Sequence, residues 1–283
     1  IFKMPQCIGA KKYALGIGTP YTNLLPHLTM FDVVIHRDGD SSLNTSNKSD
    51  IVKELPDLVS LLLTLEKDSR DKSEPARRKI GVFLAEPVFK NLEGKEIRSI
   101  LELLKYLLER DKFDICLYPC GIYKGGDNCE NDNVINLKVY NYLKKFDKSN
   151  NLILYEHQPP MENAIKWFGQ FYMTVCTRFH AHILSILANV PFVSCSPNRK
   201  VKNLLKDNNL DDYLHDDLII SYKSIRNNYD EFSDKLSHTC RLWKDKWIPV
   251  LDDLIVNSHK IQSSIFNYKN LVDKNITDIQ SVL

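Results

Sequence analysis

No stretch of the 283-residue chain approaches the ~20 consecutive apolar residues of a membrane-spanning helix. No helical span is therefore expected. Ile1 opens directly into mixed sequence, without the charged and then apolar pattern of a secretory leader. The natural chain is expected to begin upstream, and a cytoplasmic location is expected. An excess of charge of one sign is also missing: 38 Lys and Arg face 36 Asp and Glu, for a net charge of +2. So even a balance offers no long-range field for nucleic acid or a membrane surface. Any charged substrate must be met by a few placed cations. The seven cysteines (Cys7, Cys116, Cys120, Cys129, Cys176, Cys195 and Cys240) are odd in number and form no CxxC pair. Cys176 and Cys195 sit inside apolar runs and read as reduced core residues, which points to a reducing compartment. The sequons at Asn44, Asn47 and Asn275 then read as chance matches in an Asn-rich chain. There is no HxxxH spacing or acidic cluster to argue for a metal, so none is expected. Internal repeats and low-complexity tracts are absent.

What is present is an alternation of strand-like and helix-like segments, in a chain that is 43% hydrophobic and 26% charged. Residues 12–18 and 32–36 read as short buried strands, the first closed by Gly16 and Gly18. Residues 38–50 form a polar loop. Residues 51–65 carry spaced apolar positions, but Pro56 breaks any single helix there. Residues 66–79 are charged and lack large apolar side chains, as a linker would. The domain division is therefore placed at 1–72 and 73–283. Beyond it, strands are expected at 79–85, 113–118, 151–155, 171–177, 191–195 and 216–220. The helices are expected around 97–108, 136–146, 161–169, 179–188 and 199–206. The tail from 222 reads as helical, with Trp243 and Trp247 on one face. Apolar strands alternating with helices imply an α/β fold with a parallel sheet covered on both faces.

The segment 171–202 is the most informative. A buried strand ends at Thr177, and Arg178, Phe179 and His180 follow where the next helix begins. Ligands of open α/β sheets bind at that carboxyl edge. A helix start favours anions, and cations placed there oppose the macrodipole unless an anion is bound. An isolated Arg-Phe-His is more often an arginine paired with a carboxylate beside a packed ring. His182, deeper in the helix, reads as structural. Lys200 returns to the same edge one crossover later, although a Lys-Val-Lys run is usually a solvated face. Arg37, Asp38 and Ser41 follow the strand at 32–36; alone, such an Arg-Asp pair is usually a local salt bridge. Asp57, after Pro56, reads as a helix cap. The Gly-containing loop at 120–129 lacks the P-loop pattern, Gly16-Ile17-Gly18 is too short for a dinucleotide fingerprint, and His157 reads as loop.

Taken in order, these signals resemble one family. The stretch TRFHAHILSILANVPFVSCSPNRKV is similar to the Arg-x-His, apolar helix, Pro-Phe-Val and lysine stretch of polysaccharide pyruvyl transferases. Upstream, Arg37, Asp38 and Ser41 match an RDxxS motif, followed by Pro56-Asp57. The resemblance covers most of residues 12–210. Two departures stand out: Asn189-Val190 replaces the usual glycine before the proline, and Ser196 replaces an aromatic residue. The Gly-Asn-rich opening loop and further βα units of the family's N-terminal half are absent.

The resemblance implies a GT-B-like fold of two Rossmann-like domains, the first one shortened. It implies transfer of a pyruvyl group from phosphoenolpyruvate onto sugar hydroxyls of a polysaccharide or glycan, forming a ketal. Arg37, His180 and Lys200 are the implied functional residues, with Arg178 beside them. Arginine suits a bidentate grip on carboxylate or phosphate, and lysine a point charge. Histidine suits delivery of a proton near neutral pH, which makes His180 the natural general acid. Asp38 would accept a hydroxyl proton or orient Arg37, and Ser41 would contact substrate. No cofactor beyond the donor is needed. The expected partners are phosphoenolpyruvate and a glycan acceptor, with no nucleic acid; a homo-oligomer is left open. Two other readings stand beside this one. A nucleotide-sugar-dependent glycosyltransferase would need an acidic residue to grip ribose, for which Glu86 and Asp127 are available. A non-catalytic scaffold would keep the fold and bind neither donor.

Overall fold

Short apolar runs build the larger of two sheets in the computed structural model, which describes residues 11, 13–17, 32–36, 52–61, 78–85, 94–111, 113–122, 131–158, 163–196, 198–213 and 215–282. The strands are β4 (Lys79–Phe83), β5 (Asp114–Leu117), β6 (Leu152–Leu154), β7 (Met173–Cys176) and β8 (Phe192–Ser194). All pairings are parallel, in the order β6-β5-β4-β7-β8. Every residue of β5 and β7 is buried, as expected of strands covered on both faces. The helices between them are α1 (Lys95–Tyr106), α2 (Asp132–Leu143), α3 (Ala164–Phe168) and α4 (Phe179–Leu187). In α1, Ile97, Ile100, Leu101, Leu103 and Leu104 are buried at helical spacing. From Ala181 to Leu187 every residue of α4 is buried, so this helix is enclosed on all sides. One aromatic cluster fills the core, with the Phe83 ring stacked on Phe168 at 4.8 Å and met edge-on by Phe171 at 6.0 Å.

The strand order reverses at β4, which makes the carboxyl ends of β4 and β7 the topological switch point where ligands of such sheets bind. Thr177 locks these two ends together. Its hydroxyl donates to the Phe83 carbonyl at 3.1 Å and accepts from Ala85 N at 2.8 Å.

After β8 come α5 (Arg199–Asp207), α6 (Leu218–Asn227) and the 54-residue α7 (Tyr229–Val282). The expected strand at 216–220 is therefore corrected: Leu218–Ile220 open a helix. Asp217 caps it, accepting from Ile219 N at 2.8 Å and Ile220 N at 3.1 Å. The buried positions Ser221, Tyr222 and Ile225 follow helical spacing, while Ile220 is 52% exposed.

A second parallel sheet joins β1 (Tyr13–Ile17), β2 (Val33–His36) and β3 (Val52–Glu54), in that order. The chain divides into two compact units, Ile1–Leu58 with Trp243–Leu283, and Val59–Leu242. The end of α7 groups with the first sheet. The reason is visible at Lys11. Asn257 accepts from its N–H and donates to its carbonyl, both at 2.8 Å, as a neighbouring strand would. Asp253 accepts from Lys11 Nζ at 3.0 Å and from the Tyr13 hydroxyl at 2.5 Å. Trp243 and Trp247, on one face of α7, are both buried.

The helical assignment at 218–227 separates two isoleucines. Ile225→Ala is expected to cost about 2–5 kcal/mol, whereas Ile220→Ala should stay within about 0.5 kcal/mol. Urea unfolding of both variants measures this, and a strand, burying alternate residues, would make Ile220 costly.

Candidate functional site

Two helices start side by side at the carboxyl edge of the larger sheet. Cys176 at the end of β7 lies opposite Ser194 at the end of β8 in the parallel register, and the Cys195 N–H continues the ladder to the Cys176 carbonyl at 2.8 Å. α4 leaves β7 with Arg178 as its N-cap residue; α5 leaves β8 with Asn198 as its N-cap. The expected return of Lys200 to the edge that carries Arg178 and His180 is thus observed. Asn198 caps with its side chain, accepting from Lys200 N at 2.9 Å. Arg178, by contrast, caps with no side-chain hydrogen bond. Neither helix has an acidic residue in its first turn. His180 and Lys200 are exposed in these turns, and the His180 ring meets Phe179 edge-on at 5.7 Å. Cations at helix starts, which already carry partial positive charge, form an arrangement suited to an anion.

Arg178 itself is committed to a carboxylate. Its Nε donates to Asp132 Oδ2 at 3.1 Å and its Nη2 to Oδ1 at 2.5 Å. The arginine side chain is 20% exposed and the aspartate fully buried. Asp132 opens α2 and also accepts from Cys120 N at 3.1 Å and Gly121 N at 2.7 Å, just past β5. Gln158, past β6, donates to the Cys120 carbonyl. One carboxylate thus gathers the ends of β5 and β7. The pairing reading of Arg178 and its place at the helix start both hold, because the pair sits at the switch point.

Sequence reasoning missed Asp132, since its partner lies 46 residues away. The available signal was an acidic residue at a helix start after a glycine-containing loop.

His182 fixes the same region from behind. Its Nδ1 lies 2.8 Å from the Arg178 carbonyl and its Nε2 2.9 Å from Ser194 Oγ. A carbonyl only accepts, so the proton sits on Nδ1 and Nε2 accepts from the serine. The fully buried ring joins the starts of the two segments that carry Arg178 and Lys200. Burial lowers its pKa from 6.5 to about 4, and the bond to the Arg178 carbonyl offsets this only in part. The structural role expected of His182 fits this environment.

Arg37, Asp38 and Ser41 lie outside the described residues, as do Gly18, Glu86 and Asp127. His157 is exposed in a bend after β6, and Asp57 is buried just ahead of a 3-10 turn at Leu58–Leu61. Among the described residues, no group of three or more His, Cys, Asp or Glu side chains converges as metal ligands. Nor, among them, is any helix long and apolar enough to cross a membrane.

Parallel sheets in this order, with a helical C-terminal region, define a GT-B-like α/β protein. UDP-GlcNAc 2-epimerase from Neisseria meningitidis, solved with UDP-GlcNAc bound, is similar with a TM-score of 0.52 and 14% identity, over 86% of this chain and 69% of that one. A Listeria monocytogenes protein assigned as a UDP-N-acetylglucosamine 2-epimerase is similar with a TM-score of 0.52 and 11% identity, over 77% of this chain. At such identities the likeness is one of fold. The chain spans 57% of the length of the Listeria protein. No curated protein matches the chain. The family model for polysaccharide pyruvyl transferase, however, matches residues 13–199, well over half of the chain. The chain belongs to the polysaccharide pyruvyl transferase family.

Neutral, buried His182 generates a pH test. The unfolded chain takes up a proton on this residue below about pH 6.5, whereas the folded chain does so only near 4. Its contribution to stability is therefore complete above pH 6.5 and is lost as pH falls toward 4. Roughly 3 kcal/mol is involved across that window. In His182→Gln the slope of unfolding free energy against pH should be shallower by close to one proton over the window. Equal slopes in the two proteins would show a solvated ring.

Proposed function

We propose that the protein transfers a pyruvyl group from phosphoenolpyruvate to two hydroxyls of a glycan, forming a pyruvyl ketal. The observation that carries this reading is the pair of helix starts at the ends of β7 and β8, bearing Arg178, His180 and Lys200, in a chain of this family. Phosphoenolpyruvate carries a carboxylate and a phosphate, and both suit such an edge.

In this mechanism His180 delivers a proton to the methylene carbon of the donor, which becomes a methyl group. The adjacent carbon turns cationic, and a sugar hydroxyl adds to it and gives up its proton. Inorganic phosphate then leaves with the bridging oxygen, and a second hydroxyl adds and loses its proton to close the ketal. One proton enters at carbon and two leave from hydroxyls, with no oxidant or reductant required. Arg178 and Lys200 hold the donor's anionic groups. The family's RDxxS motif supplies Arg37 and Ser41 as further substrate contacts, and Asp38 as the acceptor of a hydroxyl proton or the partner of Arg37. No cofactor is assigned. The 73–283 region is read as the donor side and 1–72 as the acceptor side, in a protein working in the cytoplasm.

Transfer in heavy water should leave deuterium in the product methyl group, read by mass spectrometry. His180→Gln keeps much of the size but cannot deliver the proton. Its turnover should fall by about 10²–10⁴-fold with donor binding nearly unchanged. Wild-type turnover in His180→Gln would remove His180 from the mechanism. Binding of UDP-GlcNAc in place of phosphoenolpyruvate in a thermal-shift titration would move the protein to nucleotide-sugar chemistry, and binding of neither would favour a non-catalytic scaffold.

A further inference from the structure

We propose that Asp132 is the positioning residue for Arg178, and that Gly121 is the position whose small size lets the two meet; this rests on the donor site proposed above. Three observations converge. First, the contact is side-on and uses two nitrogens, Nε and Nη2, which fixes the plane of the guanidinium as well as its distance. Second, Asp132 cannot follow a wandering arginine. It is fully buried, heads α2, and accepts from the Cys120 and Gly121 N–H groups. The carboxylate is thus part of the rigid end of β5. Third, a Cβ placed on Gly121 would lie 2.9 Å from Arg178 Nη2 and 3.5 Å from Asp132 Oδ2. Its backbone is not left-handed, so an alanine there is resisted by the guanidinium and not by its own dihedral angles.

The consequence is specific to donor binding. An arginine on a flexible side chain loses several rotatable bonds of freedom when it grips an anion. Held in advance by Asp132, Arg178 has already lost them, so the ordering cost falls on folding and not on binding. Asp132 itself touches no substrate in this scheme and acts through Arg178.

The test compares the full chain with Asp132→Asn, Gly121→Ala, Arg178→Lys and the Asp132→Asn/Arg178→Lys double variant. Phosphoenolpyruvate binding is read by calorimetry, and steady-state turnover is read against donor and glycan acceptor separately. Asp132→Asn should raise the donor dissociation constant and donor KM by about 10- to 100-fold, with acceptor KM unchanged. Gly121→Ala alters no charge and should shift the same two quantities in the same direction, less strongly. In the double variant the losses should not add, because Asp132 has nothing left to position. A merely structural role predicts a lower melting temperature, unchanged donor KM in the folded fraction and additive losses, and that result overturns the proposal. Should Asp132→Asn fail to fold, Gly121→Ala decides alone: a wild-type donor KM there sinks the idea. Failure of the donor reading is distinguishable. If wild type binds UDP-GlcNAc instead, positioning stands only if Asp132→Asn and Arg178→Lys weaken that ligand by the same factor; unequal factors overturn it.

Discussion

The pairing of Arg178 with the buried carboxylate of Asp132 is the contact on which the carboxyl edge of the larger sheet depends. A buried carboxylate is tolerated only when its lone pairs are met. Here four donors meet them: Arg178 Nε and Nη2, and the Cys120 and Gly121 N–H groups. Those donors come from the ends of β7 and β5, strands separated in the sheet by β4. Thr177 adds the missing link by binding the end of β4 to that of β7. The three central strands therefore finish in register, and whatever binds at the switch point meets a surface set before it arrives. Removing one member of such a pair typically costs about 3–5 kcal/mol when both are buried. The 20% exposure of Arg178 argues for less than that here.

That edge carries conflicting electrostatic demands, and the conflict is informative. Helix starts prefer acidic side chains, yet α4 has none in its first turn and α5 opens with Arg199 and Lys200. At α4 the residue best placed to cap the helix, Arg178, turns its side chain to Asp132 instead. Its carbonyl is held by the His182 ring at 2.8 Å, while the backbone bond from His182 N to that carbonyl is long, at 3.4 Å. Arg178 is thus gripped at both ends: its guanidinium by α2 and its carbonyl by α4. Local rules of helix capping are broken at this point and satisfied at Asn198 and Asp217, which lie in the same unit. In the proposed function, an anion bound at this edge relieves that conflict.

The sheet was legible because buried parallel strands are near-continuous apolar runs. KIGVF, DICL, MTVC and FVS each emerge within the expected segments, and Thr177–His180 marks the switch point directly. Short apolar runs were also the source of error. Leu218, Ile219 and Ile220 have the composition of a strand, and periodicity over so few residues cannot separate strand from helix. The Asp217 cap was the deciding signal. At 52–54 the opposite happened: three residues of strand hide in a stretch whose apolar spacing continues past Pro56. The site was legible in its cations, which cluster in one segment, but not in its carboxylate. Asp132 belongs to an Asn-rich stretch, and nothing local distinguishes a solvated aspartate from a buried one. Only the parallel return of β7 beside β4 brings Arg178 within reach of it.

An arginine paired to an aspartate contributes less net attraction to an anion than a lone one. The Asp132 charge offsets that of Arg178, so long-range pull at this edge has to come from elsewhere. In the proposed donor site the helix starts and Lys200 supply it, since neither helix has an acidic residue in its first turn. The contribution of Arg178 is then directional. A planar guanidinium held in one plane offers donors in one geometry, which suits a ligand with two different anionic ends. A chain with a net charge of only +2 has little use for general attraction. In the proposed donor site, recognition depends on where a few donors point, and the buried carboxylate is what determines the direction.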